Sequence, residues 1–390
     1  MPLINSLSDH LDDIRAWRQD IHANPELGYD VHRTAGVVAE KLREFGVDEV
    51  VTGIGRTGVV GVIRGQNTAS GKTIGLRSDM DALPIQEVRD LPYKSTIEGK
   101  MHACGHDGHT AMLLGAARHL AENRNFDGTV VVIFQPAEEG GAGGKAMVDD
   151  GMMERFGIQE VYGMHNVPGM PVGTFASTPG PIMAAADHIE ISIEGRGAHA
   201  AIPQNGIDSV VVGAALIQAL QTIVSRNVDP LDQAVVSITQ FHAGDAFNVI
   251  PQEAKLAGTV RTFLPETRDA VEKRIEEICA GVAATYGATI TPNYHRNYPA
   301  TVNHAKETGF ALDVASEIVG EAAVQRDMDG MMGGEDFSFM LLERPGNFIF
   351  VGNGDTAGLH HPEYDFNDEA IPYGCSYWIS LVETSMPLTA

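Results

Sequence analysis

The stretch Met101-His102-Ala103-Cys104-Gly105-His106-Asp107-Gly108-His109 sets one thiol, three imidazoles and a carboxylate within nine residues. Thiolate and imidazole suit zinc, cobalt, nickel or manganese to differing degrees, and carboxylate oxygens bridge ions well. Four further places offer donors: Asp79 and Asp81, the doublet Glu138-Glu139, His165, and His360 beside His361. Singly, each has an ordinary explanation. Cys104 can be a small buried apolar residue, a Glu-Glu pair a solvated loop, and a lone histidine a hydrogen-bonded core residue. Together they exceed the three or four ligands of a mononuclear site. The set suits two divalent ions about 3.5–4 Å apart. A buried glutamate doublet is costly unless cations stand near it. One glutamate can ligate while its neighbour acts as general base.

The elements that must position these groups follow from the hydrophobic pattern. Amphipathic helices are predicted from Ser8 to about Asn24 and from His32 to Phe45. Strands are predicted at 49–52, 58–63, 73–76, 128–135 and 161–164, with a buried helix from Thr110 to Asn123. Asp79, Asp81, Glu138, Glu139 and His165 then lie at or just after strand ends, where α/β sheets bind ligands. Gly53-Ile54-Gly55-Arg56-Thr57-Gly58 matches a dinucleotide fingerprint, but a strand follows it, so it reads as a hairpin turn. The glycines of 140–145 lack the remaining features of a phosphate loop.

Beyond Ala184 the pattern changes to strand, helix, two strands, helix and strand. These fall at 187–194, 208–226, 234–241, 254–261, 265–286 and 289–294. That order predicts a ferredoxin-like α+β sandwich inserted into the first domain. The α/β pattern returns with a helix at 304–319, a strand at 347–351 and a helix from Glu369 to about Thr384. The expected fold is α/β: a mixed-sheet, three-layer α/β/α domain from 1–184 and 297–390, interrupted by 185–296.

The 390 residues carry 27 Lys and Arg against 52 Asp and Glu, a net charge of −25. That disfavours nucleic acid and anionic membrane as partners. Three cysteines are too few for a disulfide framework and suit a reducing, cytoplasmic compartment. The first residues show neither the basic nor the apolar part of a leader, and no apolar run near eighteen residues is expected.

The segments RSDMDALP, MHACGHDGHT, IFQPAEEG, GMHN and LHHP, in this order, resemble the dinuclear metallo-amidohydrolase and exopeptidase family. That family includes aminoacylase, hippurate hydrolase and the plant auxin-conjugate hydrolases. RQDIHANPELGYDVHRTAG is similar to the same branch, so the resemblance spans nearly the whole chain. It implies a zinc-peptidase-like fold whose inserted domain serves as lid and dimerisation surface.

It implies two divalent ions per subunit (zinc, manganese, cobalt or nickel) held by Cys104, His106, Glu139, His165 and His360. Glu138 would be the base, and Asp81 the carboxylate that orients a ligating histidine. His102 and His109 would be structural or supporting. His199, in GRGAHA, would stabilise the oxyanion. Asn248 in FNVIP and Arg261 in GTVRTF would contact the substrate's carboxylate end. The family pattern Leu-His-x-Pro selects His360 over His361. Glu335, in GGEDF, lines the site or caps a helix.

The implied activity is metal-dependent cleavage of N-acyl amino acids by a homodimer or higher homo-oligomer. Alternatives within enzymes are a dipeptidase or carboxypeptidase, or a deacetylase of N-acetyl-diaminopimelate. Outside them stands a metal-dependent binding protein that has lost catalysis.

Overall fold

The computed structural model describes residues 5–388. The expectation about a leader falls partly on residues 1–4, outside them. The chain divides into two compact units. One comprises Met1–Ile182, Val302–Asp329 and Asp336–Ala390; the other comprises Met183–Thr301 with Gly330–Glu335.

The first unit is built on an eight-stranded mixed sheet. Its strand order is Glu49–Ile54, Gly58–Arg64, Thr129–Gln135, Thr73–Asp79, Glu160–Val167, Gly346–Gly352, Phe175–Ala176, Val324–Gln325. The four strands from Thr129–Gln135 to Gly346–Gly352 run parallel to one another. The first two form the antiparallel hairpin expected at the glycine-rich turn, Ile54 pairing with Gly58.

Strand Thr129–Gln135 (TVVVIFQ) is buried along nearly its whole length. Val130, Val132 and Phe134 join a core with helices Leu11–Ala23, His32–Glu44, His106–Asn123, Ala305–Val319 and Ile371–Ser385. Val131 and Ile133 are equally buried but stand outside that core, as alternation along a strand requires. Shorter helices, Gly143–Asp149 and Ser338–Glu343, pack on each other. This is the layered α/β class the pattern predicts.

The second unit carries a four-stranded sheet, ordered Ala234–Ala243, Glu253–Thr262, Ala185–Glu194, Thr289–Tyr298, antiparallel throughout. Burial of Ala185–Glu194 alternates strictly, with Ile189, Ile191 and Ile193 facing the core. Helices Ser209–Leu220 and Pro265–Tyr286 cover that face with Val212, Leu216, Val271 and Ile275. Met331 and Gly333 lend their carbonyls to the Ala184 N–H at 3.0 and 2.9 Å, which ties 330–335 to this unit.

One expectation needs correction. Among the described residues, Ser209–Asn227 is long and apolar enough to cross a membrane by length and composition, at a mean hydropathy of 1.4. Isolated polar residues such as Gln218 and Gln221 interrupt the run in sequence without lowering that mean much. Its inner residues Val212, Leu216, Leu220 and Ile223 belong to the unit's own core.

Candidate metal centre

The centre is assembled in the first unit from strand ends and one helix start. Helix His106–Asn123 begins four residues before the position its apolar pattern predicts, so His106 is its first residue. Gly105 takes φ +90° ahead of it, a left-handed conformation that a side chain would resist. Glu138 and Glu139 follow strand Thr129–Gln135 after Ala137, which sits at φ +53°. His165 is near the end of Glu160–Val167. His360 follows the last parallel strand and is itself left-handed, at φ +62°. Non-glycine residues held there cost about 1–3 kcal/mol each and gather at functional sites.

Donor atoms converge. Cys104, His106 and His165 place one ligand atom each within 4.8 Å of one another, and Cys104, Glu139 and His360 do the same. His106, Glu138 and Glu139 form a third such group. The Cys104 thiol is common to the first two. Cys104 Sγ lies 3.4 Å from His165 Nε2, and His360 Nε2 lies 3.2 Å from Glu139 Oε1.

The tautomers are set by neighbours. His106 Nδ1 donates to the Asp81 carbonyl at 2.7 Å, and His165 Nδ1 to the Asn166 carbonyl at 2.7 Å. Each leaves Nε2 as a lone pair aimed at the cluster, the arrangement a ligating histidine requires. His106 Nε2 is buried and makes no hydrogen bond, and Glu139 Oε1, buried with it, has the His360 Nε2 3.2 Å away. An orphaned imidazole nitrogen grouped with a thiol and a carboxylate fits a cation and is otherwise costly.

Asp81 reaches His106 with more than its carboxylate, whose Oδ1 stands 3.7 Å from His106 Nδ1. Its main-chain oxygen holds His106, while its carboxylate accepts from the Glu138 and Glu139 N–H groups at 2.9 and 3.2 Å. One residue therefore orients a histidine and both glutamates.

The donor groups shift one another's protonation strongly. Burial and the nearby Glu139, Glu138 and Asp79 push the Cys104 thiol well above its ordinary range. Burial opposes charge on His106, but Asp79 and Asp81 outweigh it and raise that group to about 10. Burial, with His109 beside it, pushes His165 down. Burial raises the Asp79 carboxyl less than His106, Arg77 and His109 lower it, so it stays ionised. A divalent cation inverts this balance by favouring thiolate and neutral imidazole.

Of the adjacent histidines, both exposed, His360 faces Glu139 at 3.2 Å, whereas the His361 Nδ1 accepts from the Glu363 N–H at 3.1 Å. His360→Ala is expected to abolish metal-dependent turnover and His361→Ala only to weaken it; initial rates at saturating metal decide, and the reverse order overturns the choice. His102 is fully buried and pushed down to about 3 by burial, outside the cluster.

In the second unit, His199 and Asn248 line one cavity of about 720 Å³, and the Ala200 N–H donates to the Asn248 carbonyl at 3.0 Å. Arg261 does not line it. Its guanidinium donates to the carbonyls of Asp187 and Val260 and to the Thr259 hydroxyl. Glu335 is buried, and its carbonyl accepts from the Thr301 hydroxyl at 3.2 Å.

The profile of peptidase family M20/M25/M40 matches residues 75–384. The chain belongs to that family. It is 45% identical to the hippurate hydrolase of Campylobacter jejuni over 98% of both chains. It is 40% identical to an N-acetylcysteine deacetylase of Bacillus subtilis, covering 93% of this chain and 94% of that one. A solved Bacillus subtilis structure, described as a dinuclear metal-binding peptidase of the M20 family, superposes with a TM-score of 0.84. It is 34% identical, covering 97% of this chain and 99% of the other. This M20 protein is accordingly a metal-dependent amidohydrolase of N-acyl amino acids.

Sequence reasoning missed Arg77, Asn166 and Tyr364. Arg77 left a signal, a charge inside an otherwise apolar strand. Asn166 is the last residue of GMHN, in which only the histidine carries an expected role, and Tyr364 left no signal beyond lying just after LHHP.

Proposed function

We propose that this M20 hydrolase uses two divalent ions, which Cys104, His106, Glu139, His165 and His360 would hold. The observation that carries this is the pair of donor triads that have Cys104 in common, with the orphaned His106 Nε2 in one of them. Zinc, manganese, cobalt and nickel all suit a sulfur, nitrogen and oxygen donor set. When bound, such ions supply Lewis acidity and a nucleophile at neutral pH.

Glu138 is the base in this reading. Its main-chain N–H is fixed by Asp81, and its carboxylate belongs to the donor group with His106 and Glu139. It takes the proton of the attacking water and passes it to the departing amide nitrogen, so one group serves both halves of the reaction. His199 donates to the developing oxyanion. Asn248 and Arg261 hold the free α-carboxylate of the substrate, which restricts cleavage to acyl groups on a terminal amino acid.

For the acyl group we favour benzoyl over acetyl, supported by the end-to-end similarity to a hippurate hydrolase. We take the inserted unit as a lid and dimerisation domain of a homodimer or larger homo-oligomer. We place the protein in the cytoplasm, supported by three buried free cysteines. A panel of N-benzoyl-, N-acetyl- and long-chain-acyl amino acids plus dipeptides tests the substrate reading. It is run after chelation and again with manganese, zinc, cobalt or nickel restored. Fastest release of amino acid from the benzoyl members is expected; faster cleavage of dipeptides than of every acyl amino acid contradicts it.

A further inference from the structure

Asn166 directly follows His165 and is fully buried. Its Nδ2 donates to the Cys104 carbonyl at 2.7 Å and stands 3.0 Å from His109 Nε2. Its Oδ1 accepts from the Tyr364 hydroxyl at 2.8 Å. Its main-chain N–H donates to His109 Nε2 at 3.0 Å, and its carbonyl accepts from His165 Nδ1. One residue thus joins the Cys104 loop, the His165 ring, His109 and Tyr364.

The close approach depends on Gly105. A Cβ there would lie 2.1 Å from Asn166 Nδ2 and 2.5 Å from the Tyr364 hydroxyl oxygen. The residue between Cys104 and His106 is therefore pressed directly against this amide.

What stands behind the amide is also fixed. Both groups from Asn166 that face His109 Nε2 are donors, so Nε2 is an acceptor and Nδ1 carries the hydrogen. Nδ1 donates it to Asp79 Oδ1 at 2.7 Å. Arg77 holds Asp79 Oδ2 at 2.8 Å and is itself buried among Gln135 and Asp336. The Thr110 hydroxyl fastens the Asp79 carbonyl. Chains of buried, fully partnered polar groups of this kind rigidify what they touch.

We propose that Asn166 is the positioning residue of the metal centre: its carboxamide sets the spacing between Cys104 and His165, the two donors 3.4 Å apart. The proposal rests on the ligand reading above. No other side chain of this size substitutes. Aspartate puts an acceptor against the Cys104 carbonyl and His109 Nε2, and leucine removes the side-chain donor from both, leaving His109 Nε2 only the main-chain N–H.

Cobalt(II) alone is the probe, titrated into metal-free full-length protein. Affinity is measured together with the near-ultraviolet thiolate-to-cobalt band and the visible bands that report coordination geometry. Asn166→Leu and Asn166→Asp, checked for folding by circular dichroism, are expected to bind cobalt about 10–100-fold more weakly with displaced bands. Tyr364→Phe, which loses one hydrogen bond to Oδ1, is expected to show a smaller displacement of the same bands.

Wild-type affinity and bands in either folded Asn166 variant overturn the proposal. If neither variant folds, Tyr364→Phe decides, and bands identical to wild type overturn it. Cys104→Ser separates the two levels of the argument. Loss of the thiolate band there supports the ligand reading independently of Asn166. Its survival removes Cys104 as a ligand and the proposal with it.

Discussion

Glu138→Gln is expected to lower kcat by about 10²–10⁴-fold while metal content stays at the wild-type level. Glutamine keeps the shape, and the main-chain N–H that Asp81 holds at 2.9 Å is untouched by the change. What disappears is the capacity to take a proton and return it. Glu139, next in sequence, supplies the contrast. It stands 3.2 Å from His360 and belongs to the Cys104 triad, so Glu139→Gln is a change of ligand. Steady-state kinetics paired with metal analysis of the purified variant separates the two roles. A Glu138→Gln protein that retains most of its turnover removes Glu138 as the base. One that loses metal in proportion to activity makes it a ligand instead.

Asp187→Ala is expected to destabilise the second unit by about 3–5 kcal/mol, the range for removing one partner from a buried ion pair. Asp187 is 2% exposed. Its carboxylate accepts from Arg268 Nε and the Tyr294 hydroxyl at 2.7 Å each, and from the Asn297 N–H at 3.0 Å. Truncation strands a cation and a hydroxyl against the sheet. The cost is mostly the unpaired Arg268, so Asp187→Ala with Arg268→Ala should lose less than the two single changes added together. Calorimetry reads this as a lowered transition for one unit, since a two-unit chain need not melt in a single step. An unshifted thermogram contradicts it.

The donor set was legible because chemistry-bearing residues sit in short motifs beside strong hydrophobic runs. TVVVIFQ announces a strand covered on both faces, and Glu138-Glu139 follows it closely. RSDMDALP gives a buried strand and then two carboxylates. The strict alternation of Ala185–Glu194 marks a sheet with one solvated face, and the βαββαβ order is visible in the pattern alone. Periodicity carries this information because it is local.

What was not legible depends on long-range pairing. Helix His106–Asn123 starts earlier than its apolar residues indicate, because Gly105, His106 and Asp107 are polar or small yet buried. That Asp81 works through its main-chain oxygen depends on a backbone path no spacing encodes. Residues 330–335 join the second unit through the Ala184 N–H, over a span with no periodic signal. The Arg77–Asp79–His109–Asn166 chain runs across three strand and helix ends. Only the oddity of an arginine inside a strand hinted at it.

The central proposal is that amide hydrolysis depends on two ions, with Cys104 among the residues that would hold them. It is tested most directly by stripping the protein with chelator and titrating manganese or zinc back while following release of glycine from N-benzoylglycine. Activity near zero in the stripped protein, rising until two equivalents per chain are bound, is the predicted result. Full turnover in the stripped protein, or saturation at one equivalent with Cys104→Ser behaving as wild type, would contradict it.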